Sequence, residues 1–327
     1  MSKSKIKNIG VFTSGGDAPG MNAAIRAVVR TALYYNLQVT GIMRGYDGMI
    51  HGEFLPMNRK SVSNIIQRGG TILKTARSDE FRTPEGRKKA YDNLVAHGID
   101  ALVAIGGDGT FTGANIFIEE FGIPVLGLPG TIDNDLAGTD FTIGYDTAIN
   151  TVVDAVDKIR DTAESHDRLF IVEVMGRDSG LIALRSGIGV GAEAILIPET
   201  KTDINALFKR LEKGRKDKSS KILIVAEGDD AGGAFEVAAA VKDRFPQYDT
   251  RVSILGHIQR GGRPTCMDRV LASRLAVAAV EKLMEGRKGE MVGLVNGDIY
   301  YTPFRNAIKH INEVNPSLLK IVEILSL

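Results

Sequence analysis

Three times in this chain a short apolar run ends in glycine and aspartate and then passes into a segment of helical period. The stretches are Ser14-Gly15-Gly16-Asp17, Gly106-Gly107-Asp108-Gly109 and Met175-Gly176-Arg177-Asp178-Ser179-Gly180. Strand, tight turn and helix in repeated order imply parallel sheets covered by helices on both faces. Apolar runs at 8–13, 38–43, 101–105, 124–128, 169–174, 194–197, 222–226, 251–255 and 291–295 are the expected strands. Helices are expected over 21–35, 84–97 and 146–164, the second opened by Thr83 as N-cap, Pro84 and Glu85. With 327 residues the chain has room for about two domains, and no low-complexity linker separates them. The expected class is α/β: two related three-layer α/β/α domains with mainly parallel sheets. In such sheets ligands bind beyond the carboxyl ends of the strands, where the three glycine turns fall.

Charge narrows the partners. Lys and Arg number 41 against 40 Asp and Glu, which removes a general electrostatic reason to bind nucleic acid or an anionic membrane. No apolar run approaches the roughly 20 residues that span a bilayer. The basic start is followed by too short an apolar segment for a secretory signal. The chain reads as soluble and cytoplasmic. Its single cysteine, Cys266, excludes an internal disulfide framework and a cysteine-rich metal site, and reads as a packed or surface thiol.

A strand-to-helix turn without Cβ atoms lets backbone N–H groups point at an anion, aided by the helix N-terminus. The pattern is neither the Walker A form nor the spaced dinucleotide fingerprint. One such turn would be equally explained by geometry; three at one edge, two carrying Asp in a Gly-Gly-Asp run, favour phosphate. Asp108 is then the carboxylate for Mg²⁺, which takes one or two carboxylates plus phosphate oxygens. The plainer reading makes Asp108 a helix N-cap. In Pro129-Gly130-Thr131-Ile132-Asp133-Asn134-Asp135 the two acids share a face if the backbone is extended, although such residues also make turns. Phosphoryl transfer needs a metal carboxylate, a base beside the attacking hydroxyl and a cation at the moving group, and Asp108, Asp133 and Arg177 supply these types. In "VSILGHIQRGGRP", His257 and Arg260 lie three apart and could share an anion; a solvated or salt-bridged pair is the alternative.

The stretches "TSGGDAPGMNAAIR", "RGGTILKTARS", "IGGDGT", "GLPGTIDNDLAGTDFTIGYDTA", "EVMGRDSG", "IVAEG" and "LGHIQRGGRP" resemble the bacterial phosphofructokinase family over essentially the whole chain. "PGTIDND" and "GHIQRGG" are specific to it, whereas "GGDGT" also occurs in NAD kinases and lipid kinases. The resemblance implies ATP-dependent phosphorylation of fructose 6-phosphate at its 1-hydroxyl. It implies an ATP-binding domain of residues 1–144 and 257–308 and a sugar-phosphate domain of 145–256 and 309–327, with the active site in the cleft between them. Gly16, Arg77, Ser78, Gly107, Gly109 and Thr110 would meet ATP, with Asp108 on Mg²⁺. Asp133 would be the general base, Thr131 and Arg177 would contact the transferring group, and Asp135 would act electrostatically. Ile132, Met175, Gly176 and Glu227 would meet the sugar. His257 and Arg260, with Arg168 and Arg251 from a neighbouring subunit, would hold the 6-phosphate. The family is typically a homotetramer with shared active sites. Pyrophosphate-using relatives place Asp where this chain has Gly109 and Lys where it has Gly130, so glycine at both implies ATP.

Arg26 and Arg30 stand one helical turn apart with no acid in residues 21–35, an arrangement unfavourable in an isolated helix unless an anion lies between them. Two solvated arginines are the alternative. The resemblance implies an effector site for ADP or phosphoenolpyruvate, made of Arg26, Arg30, Arg59, Arg160, Gly191 and Glu193 between subunits. Lys216 and Lys218 would complete it, but "EKGRKDKSSKILIV" departs from the family's Gly-Lys-Lys-His stretch.

Overall fold

The computed structural model describes residues 6–164, 168–213, 221–308 and 314–325. The chain divides into two compact units, one of Met1–Ile132, Leu136–Thr147 and Arg260–Ile311, the other of Asp133–Asp135, Ala148–Gln259 and Asn312–Leu327.

In the first unit the strands are β1 (Asn8–Thr13), β2 (Gln38–Ile42), β3 (Phe54–Pro56), β4 (Ala101–Gly106), β5 (Val125–Pro129), β10 (Glu290–Val295) and β11 (Asp298–Pro303). They form one sheet in the order β11-β10-β5-β4-β1-β2-β3. Its helices are α1 (Met21–Tyr34), α2 (Gly45–His51), α3 (Pro84–Ala96), α4 (Asp108–Phe121), α9 (Cys266–Met284) and α10 (Phe304–Ala307). Phe12, Leu102, Ala104 and Val125 join a buried cluster with Met49 of α2, Leu94 of α3 and Phe111 and Phe117 of α4. The alternate residues Val11, Val103, Ile105 and Leu126 are equally buried, because α1 and α9 cover the opposite face. Asp268, buried in the first turn of α9, accepts hydrogen bonds from the Gly144 and Thr147 backbone N–H groups. Burial pushes its carboxyl above the usual range against the opposing effect of those bonds.

In the second unit, β6 (Arg168–Val174), β7 (Ala194–Leu196), β8 (Lys221–Ala226) and β9 (Asp249–Ile254) form an all-parallel sheet in the order β7-β8-β6-β9. Leu169 and Ile171 of β6 pack with Leu207 of α7 (Ile204–Lys213) and Val237 of α8 (Ala234–Arg244). The remaining helices are α5 (Tyr145–Glu164), which begins in the first unit, α6 (Leu181–Gly189) and α11 (Pro316–Leu325).

The expected strands all form, and Thr83 caps α3 by accepting from Gly86 N. The larger sheet is not purely parallel, however, since β3 and β11 add antiparallel edges. Strand β3 has three residues and ends in proline, which suits an edge. Strand β11 returns through Asn296-Gly297, both at positive φ, the two-residue hairpin turn that this dipeptide favours.

Candidate active site

In the larger sheet β1 lies between β2 and β4, so the turns after β1 and β4 leave the sheet side by side at a switch in strand order. Ser14 N donates to the Ile105 carbonyl at 3.0 Å, joining the two turns. The glycines of the second turn differ in purpose. A Cβ on Gly106 would collide with Thr110 Oγ1 and the Ser14 carbonyl, so that glycine is needed for packing. Gly109 has nothing within 4 Å of such a Cβ, and at Gly107 the nearest atom is Thr131 Cβ, 3.7 Å away. Thr110 Oγ1 is buried with no hydrogen-bond partner among the described residues. The first-turn amides of α4 have no acceptor within their own helix, by helix geometry. This is the geometry in which a helix N-terminus receives an anion.

Asp108 is not the N-cap. That position belongs to Gly107, and Asp108 opens the first turn half-buried. Among the described residues no group of three or more His, Cys, Asp or Glu gathers as a metal site. A cation on Asp108 would therefore need oxygens from the ligand, which suits Mg²⁺ with a polyphosphate. Arg260 Nη1 reaches the Asp17 carbonyl at 3.4 Å and lies over Gly16. Ser78 Oγ accepts from Phe81 N at 3.3 Å, beside the exposed Arg77. The Thr142 hydroxyl donates to the Thr131 carbonyl at 2.6 Å. Ile132, expected at the sugar, is fully buried, backbone as well as side chain.

The third glycine turn does not share that edge; it follows β6 in the other sheet. Four of its amides are already engaged by side chains. Met175 N donates to Gln259 Oε1 at 3.0 Å, Gly176 N and Arg177 N to Glu227 Oε1 at 3.2 and 2.8 Å, and Gly180 N to Glu199 Oε1 at 2.8 Å. Expected as a further phosphate cradle, the turn is filled by its own chain. What it does is hold Arg177 at φ 52°, a left-handed conformation that costs a non-glycine residue about 1–3 kcal/mol. From there Arg177 Nε stands 3.6 Å from Asp133 Oδ2, a half-exposed guanidinium against a nearly buried carboxylate. Asn134 also has positive φ, and Asp135 is half-buried.

Parallel register places Arg251 opposite Phe170, and both Arg168 and Arg251 bind Asp249, with Arg168 Nε and Arg251 Nη2 at 2.8 and 3.1 Å from Oδ2. These bonds, that of Arg168 foremost, hold the Asp249 carboxyl below its usual range. Asp249 went unread in the sequence, although its place two residues before Arg251 on one strand puts both on one face. His257 is exposed on the 3-10 turn Gly256–Arg260.

Of the effector candidates, Arg26, Arg30 and Arg59 lie in the first unit and Arg160, Gly191 and Glu193 in the second. Burial, then the charge of Arg30, lowers the pKa of Arg26. Arg160 donates to the Val190 carbonyl next to Gly191, which has φ 60°. Lys216 and Lys218 lie outside the described residues. Cys266 is a free, exposed thiol, and among the described residues no helix is long and apolar enough to cross a membrane.

The phosphofructokinase family model matches residues 8–283. The chain belongs to the phosphofructokinase family. It is 59% identical over 323 residues to ATP-dependent 6-phosphofructokinase 2 of Bacteroides thetaiotaomicron, covering 98% of this chain and 99% of that protein. It is 57% identical over 323 residues to ATP-dependent 6-phosphofructokinase 1 of Thermus thermophilus, covering 98% of this chain and all of that one. The phosphofructokinase structure from Saccharomyces cerevisiae matches with a TM-score of 0.87 at 38% identity, over 98% of this chain and 47% of the yeast chain. This chain thus spans about half the length of that yeast chain. A pyrophosphate-dependent phosphofructokinase from Marinobacter aquaeolei shares the fold, with a TM-score of 0.82 at 22% identity over 98% of this chain and 91% of that one.

Proposed function

We propose that this chain is an ATP-dependent 6-phosphofructokinase, moving the γ-phosphoryl group of ATP to the 1-hydroxyl of fructose 6-phosphate. The observation that carries the reading is the turn after β4, where Gly107 and Gly109 leave space and the buried Thr110 hydroxyl lacks a partner among the described residues. Full-length relatives bearing that name support it.

Gly16, Gly107, Gly109 and Thr110 receive the polyphosphate, with Arg77 and Ser78 at the nucleotide. Asp108 holds Mg²⁺, which when bound neutralises phosphate charge. Asp133 orients the sugar hydroxyl and takes its proton as the new P–O bond forms and ADP departs. A carboxylate is too weak a base to ionise an alcohol beforehand, but in a loose transition state the proton leaves late. Arg177 stabilises the charge on the moving group, with Thr131 beside it and Asp135 acting electrostatically. Met175, Gly176 and Glu227 border the sugar. His257 and Arg260, with Arg168 and Arg251 from a neighbouring subunit, bind its 6-phosphate. The first unit is the ATP-binding domain and the second the sugar-phosphate domain. The enzyme is a homotetramer with active sites shared between subunits, and Arg26, Arg30, Arg59, Arg160, Gly191 and Glu193 bind ADP or phosphoenolpyruvate as effector.

Pyrophosphate is the rival donor. A Cβ on Gly130 would stand 3.0 Å from Ile105 Cγ2 and 3.1 Å from Met21 Cε, so a lysine there would require repacking. Open space at Gly109 leaves the nucleotide unhindered. A nucleotide-binding subunit without catalysis would have no need of Asp133. The test is a coupled assay of the purified protein with Mg²⁺, fructose 6-phosphate and either ATP or pyrophosphate. Turnover with ATP is expected; turnover with pyrophosphate alone would overturn the assignment.

A further inference from the structure

We infer that Asn22 is a positioning residue for the donor nucleotide, because it fastens the strap of chain that carries Arg77 and Ser78. The inference rests on the nucleotide site proposed above. Residues 57–79 contain no helix or strand among the described residues. A segment of that length without regular structure must have its backbone polar groups satisfied from elsewhere, and is often functional.

Asn22, the second residue of α1, is 1% exposed. Its Nδ2 donates to the carbonyls of Arg68 and Gly69, both at 3.1 Å, and its Oδ1 accepts from Ile72 N at 2.8 Å. One side-chain amide thus engages three groups of the strap, using both of its donors. Neighbouring contacts secure the same stretch. The Thr13 hydroxyl donates to the Lys74 carbonyl at 2.9 Å, Arg44 N donates to the Leu73 carbonyl at 2.8 Å, and Leu73 is fully buried. Gly69 lies so close to the Gly262 carbonyl that a Cβ would overlap it. The strap is therefore held over residues 68–74 and again where Ser78 accepts from Phe81 N, with Arg77 between the two fastenings. Because α1 begins directly after the first glycine turn, Asn22 sets the distance between that turn and Arg77.

A carboxamide is required for this, since two adjacent carbonyls need two donors from one short, buried side chain. Asn22→Asp keeps the shape and the acceptor for Ile72 N but sets a carboxylate against both carbonyls. We expect it to raise KM for MgATP by about tenfold or more, with KM for fructose 6-phosphate and kcat within about twofold. Asn22→Ser, with one donor left, should give a smaller rise in the same parameter. MgADP binding measured without sugar should weaken in the same order, and thermal unfolding should stay cooperative. A purely structural asparagine would lower the unfolding temperature and leave the two KM values in their wild-type ratio, which would overturn the inference. Should Asn22→Asp fail to fold, the serine variant decides by the same ratio. If the wild type lacks ATP-dependent turnover, the functional reading itself has failed; if it turns over normally and the variants keep their KM for MgATP, only the role of Asn22 is wrong.

Discussion

The turn at residues 106–110 and the turn at residues 175–180 are built from similar residues, glycine and aspartate between a buried strand and a helix, but their backbone N–H groups end up differently. In the first, Gly107 and Gly109 have no side chain crowding them and the Thr110 hydroxyl lacks a partner among the described residues. In the second, carboxylates of Glu227 and Glu199 and the amide oxygen of Gln259 occupy the position an anionic ligand would take. One turn keeps space beside its backbone; the other is a mount that holds Arg177 3.6 Å from Asp133. A glycine turn defines a backbone shape, and its neighbours determine whether that shape binds a ligand.

That contrast predicts separate kinetic signatures for the two turns. The largest effect should come from the carboxylate facing the filled turn: Asp133→Asn should lower kcat by about 10²–10⁴ with both KM values little changed, measured by steady-state kinetics. Arg177→Gln should follow, at about a thousandfold in kcat. A loss confined to KM would mean that this turn binds rather than stabilises the transition state. In the open turn the pattern reverses. Gly109→Asp should raise KM for ATP by about tenfold or more through charge repulsion, without lowering the thermal unfolding temperature, because no protein atom stands in its way. Gly106→Ala should instead cost about 1–3 kcal/mol of stability, read from denaturant unfolding, since its Cβ meets Thr110 and Ser14. The smallest effect is expected for Glu227→Gln, which keeps an acceptor for the Gly176 and Arg177 amides and should lower kcat by only a few fold. If Glu227→Gln matched Arg177→Gln in kcat, the charge on Glu227 would act in the transition state as well as in holding the turn and bordering the sugar.

Much of this was legible before the structure. Period and punctuation identify the parallel strands to within a residue or two, and Thr83-Pro84 opens α3 as read. The edge strands β3 and β11 escaped because they are short or polar, although Asn296-Gly297 carried a usable hairpin signal. The fillers of the third turn could not be read at all. Glu227 reaches Gly176 because the β6–β8 register sets Val174 opposite Ala226, and Gln259 reaches Met175 from 84 residues away. Asp249 between Arg168 and Arg251 depends on the β6–β9 register in the same way.

By itself the sequence determined the strand-turn-helix order, the glycines and the acid and base types at the strand ends, because φ/ψ preference and side-chain chemistry are local properties. Only the tertiary structure decided which turn stays open and which is filled, and that Asn22 fastens the strap. Those outcomes depend on acceptors brought together from distant parts of the chain by strand register and helix packing, which no short stretch of sequence encodes.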